Sequence, residues 1–130
     1  MDKNIEELFV KKFIVKGRKE RIFFELSSEK KRRDRVYRLY NDLDGSCSIF
    51  SGQLSEETLP DKIKKSVAKM KSCYVIADGA DDGAVLPFEL AFKNLEQSAG
   101  LYIIFCAPDI VIAKDEVFYG APEQCILYKN

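Results

Sequence analysis

Two clusters of charged side chains are the parts of this sequence best suited to chemistry. The first is acidic: Asp78, Asp81 and Asp82 fall within five positions, and Glu89 follows near the start of the next helical pattern. Carboxylates at this density coordinate hard cations, move protons, or pair with the basic groups of another macromolecule. The second is basic: Lys30, Lys31, Arg32, Arg33, Arg35 and Arg38 put six cations into nine positions, with Tyr37 among them. Arginine beside an aromatic ring suits nucleic acid, through phosphate pairing and base stacking.

Spacing decides against a metal in the acidic cluster. Set on a twelve-position calcium loop, Asp78 falls at position 1, Asp82 at 5, Gly83 at 6 and Glu89 at 12. Position 3 is then Ala80, which has no side-chain oxygen. The preceding Cys73–Ala77 reads as a strand where that motif needs a helix, and Pro87 stiffens the exit. Asp78-Gly79 and Asp82-Gly83 read instead as turn dipeptides. They set the acids between the end of a strand and the start of a helix. Helix N-termini attract anions, and these carboxylates repel them, so a cationic protein fits better than a nucleotide. The acidic side chains are expected to point outward, free of the core.

Catalysis finds little support. With no histidine in the chain, histidine-based triads and histidine-ligated metals are excluded. There is no nucleophile elbow, no P-loop and no dinucleotide fingerprint. A carboxylate pair such as Asp82 and Glu89 leaves a small carboxylate-dependent enzyme as a third reading, and spacing does not single that pair out. The four cysteines, Cys47, Cys73, Cys106 and Cys125, are scattered. Each sits in or beside an apolar, strand-like run, so buried reduced thiols are expected, with no metal and no cofactor.

The formal net charge of zero hides a division. Residues 1–71 hold 18 basic and 12 acidic side chains, and residues 72–130 hold 3 and 9. The stretch from Lys11 to Arg38 alone has 12 basic against 4 acidic. Such asymmetry bears on partners rather than on fold. With 130 residues, 46% of them hydrophobic, the chain is long and apolar enough for one domain with its own core. Its longest apolar run is too short to cross a bilayer, and its start does not read as a secretion signal, so a cytoplasmic protein is expected.

Elements must position these clusters. Ile5, Leu8, Phe9 and Phe13 recur at helical spacing and predict a helix over 3–15. Residues 18–26 fit either period and are read as helix because polar helix formers flank them. Ser28 is an N-cap candidate for a helix over 29–41. Its apolar stripe, Val36, Leu39, Tyr40 and Leu43, begins late, so its basic first turns are expected to project into solvent. Cys47–Phe50 is a short strand candidate. Leu59, Ile63, Val67 and Met70 mark a further amphipathic helix. Cys73–Ala77, a helix from Pro87 to Gly100, and Leu101–Cys106 then read as strand, helix and strand, which implies a parallel crossover. Two further strands near Ile110–Ala113 and Gln124–Tyr128 complete the expectation. It is a single α+β domain over 1–130, with an N-terminal helical layer on a mixed sheet of four or five strands containing one βαβ crossover. The function expected is a non-catalytic protein-binding domain, an inhibitor or immunity protein for a cationic target such as a nuclease toxin. The alternative is an RNA- or DNA-associated protein using the Lys11–Arg38 region.

Overall fold

The computed structural model describes residues 1–116 and 122–130. Three helices open the chain: α1 (Lys3–Phe13), α2 (Lys19–Leu26) and α3 (Arg32–Tyr37). A strand β1 (Ser48–Ser51) and helix α4 (Asp61–Ala68) follow. Then come β2 (Cys73–Ala77), β3 (Val85–Leu86), α5 (Phe88–Gln97), β4 (Tyr102–Cys106), β5 (Ile110–Lys114) and β6 (Gln124–Tyr128). The strands form one sheet in the order β1-β6-β5-β4-β2-β3. The α+β class and the N-terminal helical layer are as expected.

The sheet separates two cores. Alternate residues Tyr74, Ile76, Ile103, Phe105, Val111 and Leu127 face α1, α2 and α3, where Phe9, Phe13, Ile22, Leu26 and Val36 meet them. The other alternation, Cys73, Val75, Ile104, Cys106, Ile112 and Ile126, packs under Ile63 and Val67 of α4 and Phe92 and Leu95 of α5. The sheet is therefore covered on both faces, where one helical layer was expected. This is why β2, β4 and β5 are buried along their whole length. Asp2 caps α1 by accepting from the amides of Asn4 and Ile5.

Strand direction is the main correction. The expected sheet was mixed, with β2 and β4 parallel across a helical crossover; among the described residues all five ladders are antiparallel. Among the described residues six strands are present rather than four or five. The reason is Val85–Leu86, two residues that turn back along β2 as an edge strand, paired Cys73 with Leu86 and Tyr74 with Val85. This reversal lets the chain enter α5 from the opposite end. β3 and β4 both run antiparallel to β2 and flank it, so they are parallel to one another, and α5 crosses over β2 to join them.

The basic helix is also shorter than expected. Ser28 Oγ accepts from the Lys31 amide at 3.3 Å, and the helix proper runs only from Arg32 to Tyr37, with a 3-10 turn over Leu39–Asp42. Its first turn does not project. Arg32 and Arg35 are buried in phase with Val36 and Leu39, one helical stripe turned toward the protein.

Candidate functional site

The acidic turn and the basic helix meet each other. Arg32 donates through Nη1 and Nη2 to the two oxygens of Glu6 in α1, at 2.7 and 2.6 Å. Its Nε and Nη2 donate to both oxygens of Asp82, at 2.8 and 3.0 Å. Nη1 also donates to the Leu26 carbonyl at 3.0 Å. A guanidinium has five N–H donors, and all five are engaged. Burial opposes the charge, but the hydrogen bonds and fields of Asp82 and Glu6 outweigh it and raise the Arg32 pKa. The Tyr74 hydroxyl completes the group by donating to Glu6 Oε2 at 2.6 Å.

A second buried cation lies one turn along. Arg35 donates through Nη2 to Asp42, and its Nη1 lies 3.4 Å from Glu25. Arg18 closes on the other oxygen of Asp42 at 2.8 Å. Two of the basic residues named as nucleic-acid candidates are thus held inside the protein. Lys30, Lys31, Arg33 and Arg38 remain exposed. The Lys31 ammonium lies 5.2 Å from the Phe24 ring centroid, Arg33 stands 3.8 Å from Asp78, and Arg38 Nε donates to the Asp34 carbonyl. Tyr37 is partly exposed, but the Glu116 carboxylate at its hydroxyl pushes its pKa up, with Asp78 and Asp115 adding to the negative field. That field disfavours a phosphate there.

The four acids divide likewise. Asp82 is the partner of Arg32. Asp81 Oδ2 accepts from the Tyr102 hydroxyl at 2.5 Å and from Asn94 Nδ2 at 2.9 Å. Neither side chain is free, contrary to the expectation that the turn presents them outward. Asp78 is half-buried beside Gly79, where two small clefts of about 330 and 310 Å³ share Ala77, Asp78 and Gly79. Glu89 is not part of this group. It is exposed in the first turn of α5 and, among the described residues, makes no ion pair or side-chain hydrogen bond. Among the described residues, no cluster of three or more metal-ligating side chains occurs and no helix is long and apolar enough to cross a membrane.

Glu89 belongs to a larger concavity that the sequence did not reveal. A groove of about 750 Å³ runs between α4 and the start of α5. Leu59, Val67, Met70, Phe88 and Phe92 line its apolar floor, with Glu56, Glu57, Glu89, Lys64 and Lys71 around it. All five charged residues are exposed. Met70 and Phe88 are only partly buried, so the apolar stripes of the two helices are not completely covered. Ala68, also exposed, lies on the α4 wall.

The two buried tyrosine–carboxylate pairs have a measurable consequence. Burial, then the carboxylate each hydroxyl contacts, raises the pKa of Tyr74 and of Tyr102. In the unfolded chain both titrate near pH 10. Above about that pH the unfolded state releases protons that the folded state keeps, so stability falls as pH rises. Urea midpoints are expected to begin falling at about pH 8.5, where unfolded thiols ionise and the buried Cys106 and Cys125 do not, and to fall more steeply above about pH 10. Tyr74→Phe combined with Tyr102→Phe should lessen the steeper part, to which the half-buried Tyr40 also contributes, and an equal decline in that variant would assign it to other groups.

Comparison with protein-family models, curated proteins and solved structures returns no match to this chain.

Proposed function

We propose that this chain is a non-catalytic protein-binding domain whose docking face is the groove between α4 and α5. Its partner offers an apolar side chain flanked by lysine or arginine. An inhibitor or immunity protein directed at a cationic target, such as a nuclease toxin, is the role this reading suggests. One observation carries it: an open apolar floor, Leu59, Met70, Phe88 and Phe92, rimmed by the exposed carboxylates of Glu56, Glu57 and Glu89. The floor supplies affinity by excluding water. The rim carries three carboxylates against the ammonium groups of Lys64 and Lys71, which favours a basic flank. Complementary charge of this kind speeds encounter and enforces partner choice more than it tightens the complex.

Of the acids named from the sequence, Glu89 is retained in this site. Asp81 and Asp82 are engaged within the fold, so replacing them perturbs structure as well as surface. The basic helix supports the nucleic-acid alternative less strongly, because Arg32 and Arg35 are likewise engaged internally.

The test uses immobilised full chain to capture partners from a lysate of its own source, then titrates each captured protein. Ala68→Arg, which fills the groove from an exposed helical position, should weaken a genuine partner more than tenfold, about 1.4 kcal/mol. Glu56→Gln, Glu57→Gln and Glu89→Gln together should reduce binding by about 0.2–1 kcal/mol per charge and flatten its salt dependence. Circular dichroism should report native structure in both variants. Capture unaffected by Ala68→Arg would remove the groove. Recovery of nucleic acid, released by Lys30→Ala, Arg33→Ala and Arg38→Ala, would instead establish the alternative.

A further inference from the structure

The second core contains two thiols in contact. The β2–β4 antiparallel register ends at the Tyr74–Phe105 pair, and one step further along both strands sets Cys73 opposite Cys106. Their Sγ atoms are 3.0 Å apart, and both side chains are buried. Directly opposed residues of an antiparallel pair have Cα atoms about 4.5 or 5.5 Å apart. Both values fall inside the range of about 4.4–6.8 Å that a disulfide spans. Closing a bond here therefore needs side-chain rotation but no displacement of the strands. Cys47 and Cys125 belong to the other core, across the sheet, and so do not compete for this pairing.

We propose that Cys73 and Cys106 are a modification site: a dithiol that closes to an intramolecular disulfide by exchange with a low-molecular-weight disulfide of the glutathione type. The Cys73 thiolate attacks one sulfur of the small disulfide, whose S–S bond breaks. The departing thiolate takes up the proton that Cys73 lost. Cys106, deprotonated in turn, attacks the Cys73 sulfur and expels the second small thiol. Two protein thiols are oxidised, one small disulfide is reduced to two thiols, and electrons and protons balance.

Access selects Cys73 as the attacking sulfur. It begins β2, and its neighbour on one side is the two-residue edge strand β3, through Leu86. Short edge elements open locally at lower cost than central strands. Cys106 instead lies between β2 and β5, paired with Ile110 on its far side. The hydrogen bond from Cys106 also lowers the Cys73 pKa, which favours the thiolate at the more accessible position. The bond would close a loop containing the acidic turn, β3 and α5, and thus tether the α5 wall of the groove.

Incubating the full chain with oxidised glutathione, then removing it, tests this directly. Free thiols titrated in denaturant should fall from four to two per chain, with an intact mass lower by two hydrogens. Trypsin cuts after Lys71, Lys93 and Lys114, so Cys73 lies in peptide 72–93 and Cys106 in peptide 94–114. These two peptides should be recovered linked and should separate on reduction. The oxidised chain should melt at a higher temperature than the reduced one, and Cys73→Ala should retain three free thiols and show no shift. Four thiols remaining in the wild-type chain, a persistent glutathione adduct on Cys73, or linkage to peptides carrying Cys47 or Cys125 would overturn the proposal. The peptide map of the wild type decides the matter even where a cysteine variant folds poorly.

Discussion

Replacing Arg32 by methionine is expected to cost about 3–5 kcal/mol, the range for breaking a buried ion pair by removing one partner. The methionine fills much of the same volume, so the loss is electrostatic rather than a cavity. Glu6 is buried and, among the described residues, keeps only the Tyr74 hydroxyl as a side-chain donor, while Asp82 retains the Ala77 amide. Glu6 therefore bears most of the penalty, since Asp82 is nearer to water. A native domain has only about 5–15 kcal/mol in hand, so the urea midpoint should fall steeply. Adding Glu6→Gln to Arg32→Met should recover part of the loss, because the stranded charge disappears. A midpoint for Arg32→Met within about 1 kcal/mol of wild type, the usual effect of an ordinary substitution, would mean that the five-donor network does not form. The same result would restore the basic helix as a free surface.

Lys114→Met should be the second large loss, about 2–4 kcal/mol from stranded acceptors. Lys114 is a buried lysine in β5, and its ammonium donates to three carbonyls at the end of α5: Leu95 at 3.0 Å, Glu96 at 3.1 Å and Ser98 at 2.8 Å. The last turn of a helix has carbonyls with no intrahelical partner, and its dipole favours a cation there. Methionine satisfies neither requirement. Hydrogen exchange should accelerate most in the last turn of α5, ahead of the sheet. Lys93→Met, on the exposed side of the same helix, is the control and should change stability by less than about 0.5 kcal/mol. Equal stability for both variants would show that the Lys114 contacts contribute nothing.

Arg32 and its partner Glu6 had a signal in the sequence that periodicity makes readable. Glu6 falls in phase with Phe9, Val10 and Phe13, and Arg32 in phase with Val36 and Leu39. A charge on an apolar stripe demands a buried partner of opposite sign. Their meeting was not readable, because the partners of Arg32 lie 26 and 50 positions away. Counting the charges of each half revealed an imbalance but not its internal resolution. The groove escaped for a related reason: Val67, Met70, Phe88 and Phe92 announce apolar helical faces, and nothing local says how completely another element will cover them.

The sequence by itself determined where most elements lie and which side chains enter a core. Helical spacing placed α1 and α5, continuous apolar runs placed β2, β4 and β5, and the result is an α+β class with helices at the N-terminus. These are local quantities, set by backbone period and by the hydrophobic cost of exposure. Only the tertiary structure decided strand direction. A fully apolar strand reports that both of its faces are covered, and an antiparallel strand between two helical layers satisfies this as well as a parallel one does. The two residues of β3 reverse the chain before α5, too short a segment to carry a period of its own. The tertiary structure also decided which charges remain available. Arg32 and Glu6 are committed to one another because burial makes each require a partner, and the same guanidinium takes up Asp82, whereas Glu89 is left at the edge of an open apolar groove.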